Sequence, residues 1–378
     1  MRQLTNAALA ALLCAAPAAA QTLHVERTVL LMRHGVRPPT KTPALDPSLA
    51  PSAWPVWEVP DGNLTPHGAA AVTLLAAYDR RLFGPLKCAD VTIYADVDQR
   101  TVATGAAYAQ GIAPGCALTV GHATTPKDPI FSPAATVDSD AVKAAMEASA
   151  GGDVDDLVTA HQALFDEMQK VLDPTGTGLT DEDNKVSAKT PGTLPKLKGE
   201  VADAATAAED FLLEYLDGKP LSDVAWGRAN GAKVAELLEL HPLAYIVTAR
   251  TLAVARVTAE PLAERIVQGL TSGTKLTVLV GHDDNQAKLG GLLGLHWSPA
   301  GYPADDVIPG GGIIFSLLAD NAGHEYVTAK YQVQTMRQIR FLIGGAPEFQ
   351  ALAIPGCGNS TAPTACTLDA FTKMVNAL

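Results

Sequence analysis

The sequence predicts an α/β protein: a mostly parallel sheet with flanking helices, plus a smaller, mostly helical domain. Three observations carry this. Strand-like runs alternate with helix-like segments at both ends of the chain, the pattern of strands joined by crossover helices. The first of those runs is rich in β-branched and aliphatic residues, as in a strand covered on both faces of a parallel sheet. The middle of the chain, about residues 137–264, reads as helix with few strand runs. The expected division is an α/β part from residues 21–136 and 265–378, with 137–264 as a helical insertion or cap.

The elements follow in order. ERTVLLM, residues 26–32, reads as a buried strand that stops at Arg33. In LTPHG, Thr65 is an N-cap and Pro66 suits the first helical position, so a helix runs through AAAVTLLAAYDRRLF. VTIY, residues 91–94, is a short strand, and helix signals follow over 101–110. After the helical middle, LTVLV (276–280) is a third buried strand, stopping at Gly281 and His282, with helix over 285–293. GIIFSLL (312–318) and YVTAKYQVQ (326–334) read as later strands. Residues 173–196 are polar and rich in Gly and Pro, and read as a loop; DPTGTGLTDED lacks the ligand order of a calcium loop.

The 378 residues are 47% hydrophobic and 18% charged, enough for a packed core. A net charge of −12 argues against a nucleic-acid surface, which needs clustered Lys and Arg. Residues 1–20 read as a secretory signal: Arg2, a short apolar stretch, then Ala18-Ala19-Ala20. No other apolar run reaches membrane-spanning length unbroken, so no membrane association is expected, and the location is periplasmic or secreted. Beyond the signal stand Cys88, Cys116, Cys357 and Cys366, an even number that suggests disulfides in an exported protein. Three pairings are possible, as are free thiols; proximity favours Cys88 with Cys116 and Cys357 with Cys366.

Functional groups in open α/β sheets gather beyond the carboxyl ends of strands. Three such ends carry ionisable clusters: Arg33-His34-Gly35-Val36-Arg37, Asp96-Val97-Asp98-Gln99-Arg100-Thr101 and Gly281-His282-Asp283-Asp284-Asn285. In a parallel sheet all three meet in one crevice. Arginine forks hold phosphoryl oxygens and stay charged. A histidine can take the phosphoryl group, and a carboxylic acid can protonate the leaving alcohol. No metal-spaced set of ligands accompanies the cluster, so neither metal nor cofactor is expected. His24, His67, His122, His161, His241, His296 and His324 have no comparable neighbourhood and read as structural.

RHGVRPPT followed far downstream by HD resembles the histidine acid phosphatase family. DGNLTPHG, DVDQRTVATG, WGR at 226–228, VGHDDNQAKLGGLLGLHW and IPGGG extend the resemblance to the family's bacterial periplasmic phytases and the related glucose-1-phosphatases, over nearly the whole mature chain. It implies a phosphoglycerate-mutase-like fold with a mostly helical second domain. It also implies that His34 is the nucleophile, that Asp283 is the proton donor, and that Arg33, Arg37, Arg100 and His282 hold the phosphate, with Thr40 adding a contact. Glu209 in AAEDFLL resembles a substrate-facing glutamate, and Lys41 is placed to meet a second phosphate. The two favoured cysteine pairs match family bridges. Where the bacterial phytases read HDTN, this chain reads HDDN; Asp284 would raise the Asp283 pKa by repulsion, or cap a helix.

The resulting expectation is an exported monomer that hydrolyses phytate, myo-inositol hexakisphosphate, through a phosphohistidine. The rivals are a broader acid phosphatase or glucose-1-phosphatase, and a non-catalytic binder of phosphate esters.

Overall fold

The computed structural model describes residues 23–357 and 365–377; the expected signal segment lies outside the described residues. Among the described residues ten strands form: β1 His24–Arg33, β2 Val91–Ala95, β3 Val120–Gly121, β4 Lys185–Ser187, β5 Lys196–Lys198, β6 Leu276–Gly281, β7 Gly312–Ala319, β8 Glu325–Val333, β9 Glu348–Leu352 and β10 Cys366–Thr367. Among the described residues the helices are α1 Pro66–Leu82, α2 Gln99–Ile112, α3 Ser139–Ser149, α4 Asp155–Ala160, α5 Gln162–Leu172, α6 Glu200–Leu216, α7 Gly231–Leu237, α8 His241–Thr248, α9 Leu252–Ser272, α10 Asp283–Leu293, α11 Met336–Arg340 and α12 Leu368–Asn376.

The central sheet runs β10-β8-β7-β1-β6-β2-β3, with β9 paired to β8. β1, β6, β2 and β3 are parallel, so the three polar strand ends point the same way. β7 to β10 form the antiparallel flank. From Thr28 onward β1 is buried on both faces, which explains its aliphatic run Val29-Leu30-Leu31-Met32. Val29 and Leu31 face the core shared with α9, α10 and the helical region, while Leu30 and Met32 face the layer of α1 and α2.

Local chemistry sets the helix starts. The Thr65 hydroxyl accepts from Gly68 N at 2.9 Å and Pro66 opens α1. α10 begins two residues before the expected position, because Asn285 Oδ1 accepts from His282 N at 2.8 Å and makes His282 the cap. The polar segment 173–196 is not wholly loop: β4 and β5 pair there as a short antiparallel ribbon. The expected boundary at residue 264 falls inside α9, which packs on both β1 and α10. Both favoured disulfides are formed, Cys88–Cys116 across β2 and the turn after α2, and Cys357–Cys366 at the β10 edge.

Candidate active site

The three parallel strand ends converge on a cavity of about 460 Å³. Its floor is the turn after β1. His34 N donates to Gly281 O at 3.0 Å, and His34 O accepts from Gly310 N at 3.0 Å, so the turn is pinned to both neighbouring strands. Gly35 and Gly68 let this turn lie against α1. A Cβ at Gly68 would stand 2.5 Å from Val36 O, and one at Gly35 would stand 2.8 Å from a Leu64 methyl. Gly35 N also donates to Thr104 Oγ1 at 3.0 Å.

His34 is buried, and its Nδ1–H donates to Gly35 O at 2.8 Å, which leaves the Nε2 lone pair free. Burial, then the neighbouring Arg33 and Arg37, hold its pKa well below the usual histidine value. The ring therefore stays neutral and nucleophilic. The His282 ring stands 5.5 Å away, edge on. Its Nε2–H donates to Asp96 Oδ2 at 3.0 Å, with Asp98 Oδ2 at 3.2 Å. Burial works against charge on this ring, but those two carboxylates outweigh it and raise the pKa.

The guanidinium groups are each fixed by carboxylates. Arg33 lies fully buried behind the cavity; it bonds Glu209 and Val307 O, and its Nη2 stands 2.9 Å from Asp283 Oδ2. Arg37 Nη2 reaches Glu209 Oε1 at 3.2 Å. Arg100 Nη2 donates to Asp98 Oδ2 at 2.7 Å. Glu209 thus bridges two arginines with the carboxylate geometry that a phosphoryl group would use. Burial opposes ionisation of Asp283, yet Arg33 and Arg37 drive its pKa far below the usual carboxylate range. Asp284 turns to Lys288, 2.5 Å away and one turn further along α10, while the arginines set the direction of the Asp283 shift.

The structure brings together Arg33, His34, Arg37, Thr40, Arg100, Glu209, His282 and Asp283. Lys41 is exposed and stands outside the cavity lining. Several groups had no distinctive sequence signal. Buried His241 donates from Nδ1 to Asp306 Oδ1 at 2.7 Å, and its Nε2 is 3.9 Å from Glu209 Oε2. Asp306 follows no strand run and His241 follows none either, so only tertiary pairing reveals them. Lys127 and Ser132 line one wall from the segment before α3. Two sets, Asp96 with Asp98 and His282, and Glu209 with His241 and Asp283, place their ligand atoms within 4.8 Å of one another. Arg100 bonds the first set and Arg33 the second, so guanidinium already supplies the positive charge at both.

Two imidazoles and three guanidiniums, held by carboxylates around one cavity, make a site for a phosphate monoester. The chain belongs to the histidine phosphatase superfamily (branch 2), whose family model matches residues 24–332. It is 34% identical to phytase AppA of Escherichia coli over 94% of this chain and 92% of that protein. It is 29% identical to the glucose-1-phosphatase of Salmonella typhimurium over 93% of this chain and 92% of that one. The phytase of Hafnia alvei in complex with myo-inositol hexakis sulphate superposes with a TM-score of 0.88 at 32% identity, covering 95% and 98% of the two chains. The protein is a phosphomonoester hydrolase.

Proposed function

We propose that the protein is an exported phytase that works through a phosphohistidine at His34. The observation that carries the chemistry is the free Nε2 of a buried, neutral His34 beneath Arg37, Arg100 and His282. In the first step Nε2 attacks phosphorus, the phosphorus–oxygen ester bond breaks, and Asp283 gives its proton to the leaving oxygen. In the second, water attacks phosphorus, Asp283 takes the proton, and the phosphorus–nitrogen bond breaks to release phosphate.

Asp283 must be protonated for the first step, although the arginines hold it ionised in the empty site. A bound phosphate dianion displaces Glu209 from Arg33 and Arg37 and neutralises them. That removes the cause of the low pKa, so the carboxyl can take up a proton with the substrate.

The choice of phytate is supported by the AppA relationship, by the Hafnia alvei phytase and its inositol hexakis sulphate, and by a cavity roomy enough for a ring substrate. Export rests on the apolar segment 1–20 and on the two disulfides. We take the working unit to be a monomer, with residues 137–264 as a cap over the α/β part. The test is initial phosphate release at acid pH from phytate and glucose-1-phosphate side by side, with His34→Ala as control. Preference for phytate, lost in the variant by at least about 10³-fold, is expected. Equal or reversed preference would move the enzyme to the glucose-1-phosphatase branch.

A further inference from the structure

We propose that Lys127 is a specificity residue, whose ammonium meets a second phosphate of a substrate already held over His34. The inference rests on the phytase reading only in taking the substrate to be polyphosphorylated.

The cavity lining holds other cationic groups, but each has a carboxylate. Arg37 bonds Glu209, Arg100 bonds Asp98, and His282 bonds Asp96. Those pairs sit on the floor, where the reacting phosphate goes. Lys127 is exposed, lines the same cavity, and has no side-chain ion pair among the described residues. A further phosphate of the same molecule therefore finds in Lys127 a positive charge with no competing anion. Asp284, another acidic group of the lining, is already paired to Lys288.

The base of this side chain is fixed, although its tip is free. The next residue, Asp128, is 0% exposed. Its Oδ2 accepts from Tyr94 OH at 2.7 Å and its Oδ1 from Ile130 N at 2.8 Å, so the segment is tied to β2. Lys127 O accepts from Thr125 Oγ1 at 2.8 Å. A point charge on a four-carbon stem tolerates several phosphate positions, where a guanidinium fork would demand one. A small monophosphate fills the floor and has nothing to offer Lys127. Lys41 stands outside the lining, and its charge acts on Asp46.

The test uses the full chain with Lys127→Ala and Lys127→Glu. Hydrolysis of p-nitrophenyl phosphate gives KM and kcat for a monophosphate. Myo-inositol hexakis sulphate as competitor gives Ki, whether or not phytate is turned over. We expect Ki to rise about fivefold for Ala, the size of an exposed ion pair, and further for Glu. KM for p-nitrophenyl phosphate should change by less than about twofold, and added salt should narrow the Ki difference. An unchanged Ki, or Ki and KM rising together, overturns the assignment. Phytate release by the unmodified enzyme is read in parallel. Its absence beside a Lys127-dependent Ki would sink the phytase reading and leave Lys127 standing; the opposite pattern would sink Lys127 alone.

Discussion

His34 and Asp283 face opposite demands from the same arginines. Burial and then the positive field of the arginines keep His34 neutral, and the same field keeps Asp283 ionised against its burial. A nucleophile benefits from that field, whereas a proton donor is disabled by it until an anion enters. In the proposed mechanism acid competence therefore depends on occupancy of the site. Removing the proton alone tests this. Asp283→Asn should slow alkyl esters such as glucose-1-phosphate by about 10²–10⁴-fold, the usual size of general acid catalysis. p-Nitrophenyl phosphate, whose leaving group needs no proton, should lose less than tenfold. Equal slowing of both, measured as kcat, would remove Asp283 from that role.

At the scale of elements, the site is the end of three parallel strands, and that much is legible in the sequence. TVLLM, VTIY and LTVLV carry no charge until they stop at charged clusters, because the strands end where the cavity begins. The remainder lacks such a pattern. β3, β9 and β10 span two to five residues, too short for a period to register. The antiparallel direction of β7 to β10 depends on pairing, not on composition. His241 and Asp306 meet only across 65 residues, and Lys127 is a lone lysine between a proline and an aspartate. One element contact carries particular weight. α1 approaches the His34 turn so closely that a methyl at Gly68 would stand 2.5 Å from Val36 O and 2.7 Å from Val36 N. Gly68→Ala should push helix and turn apart, costing about 1–3 kcal/mol as overpacking does. Arg37, one residue beyond Val36, should then lose its alignment, lowering kcat/KM together with the urea midpoint. A variant with both values intact would show that the turn does not depend on α1.

The molecule as a whole is built with carboxyl groups that resist ionisation. Asp79 lies on the buried face of α1 at 0% exposure, and Glu200, Asp210 and Glu214 on α6 are 5%, 3% and 1% exposed. Each has one buried side-chain oxygen without a hydrogen-bond partner. Burial is the leading cause at all four. It raises Asp79 to about 6 despite Tyr108 and Gln332, raises Glu200 to about 7 with Asp155 and Asp166 adding to it, and raises Glu214 to about 8 despite Ala225 N and Lys219. Asp210 rises too, with Glu209 and Glu214 beside it and Arg37 and His241 opposing. An acid whose pKa is raised on folding holds its proton in the native state after the unfolded chain has lost it. Unfolding then releases protons, so stability falls as pH rises. For this set the loss begins near the ordinary carboxyl range, about 4 to 4.5, and continues until Glu214 ionises near 8. Glu209 and Asp283 behave oppositely: burial opposes their ionisation, but the arginines outweigh it and lower both pKa values, so the stability they add is full above the ordinary carboxyl range and is lost progressively as pH falls below it. Together the two sets place the stability maximum on the acid side of neutrality, where the proposed phosphoryl transfer also operates. The melting temperature should therefore be higher at pH 5 than at pH 8 in the same buffer and salt. Glu214→Gln, which can still accept from Ala225 N, should flatten the upper part of that slope. A melting temperature that rises from pH 5 to pH 8 would mean that these carboxyls reach solvent or a counter-charge, and that acid stability has another origin.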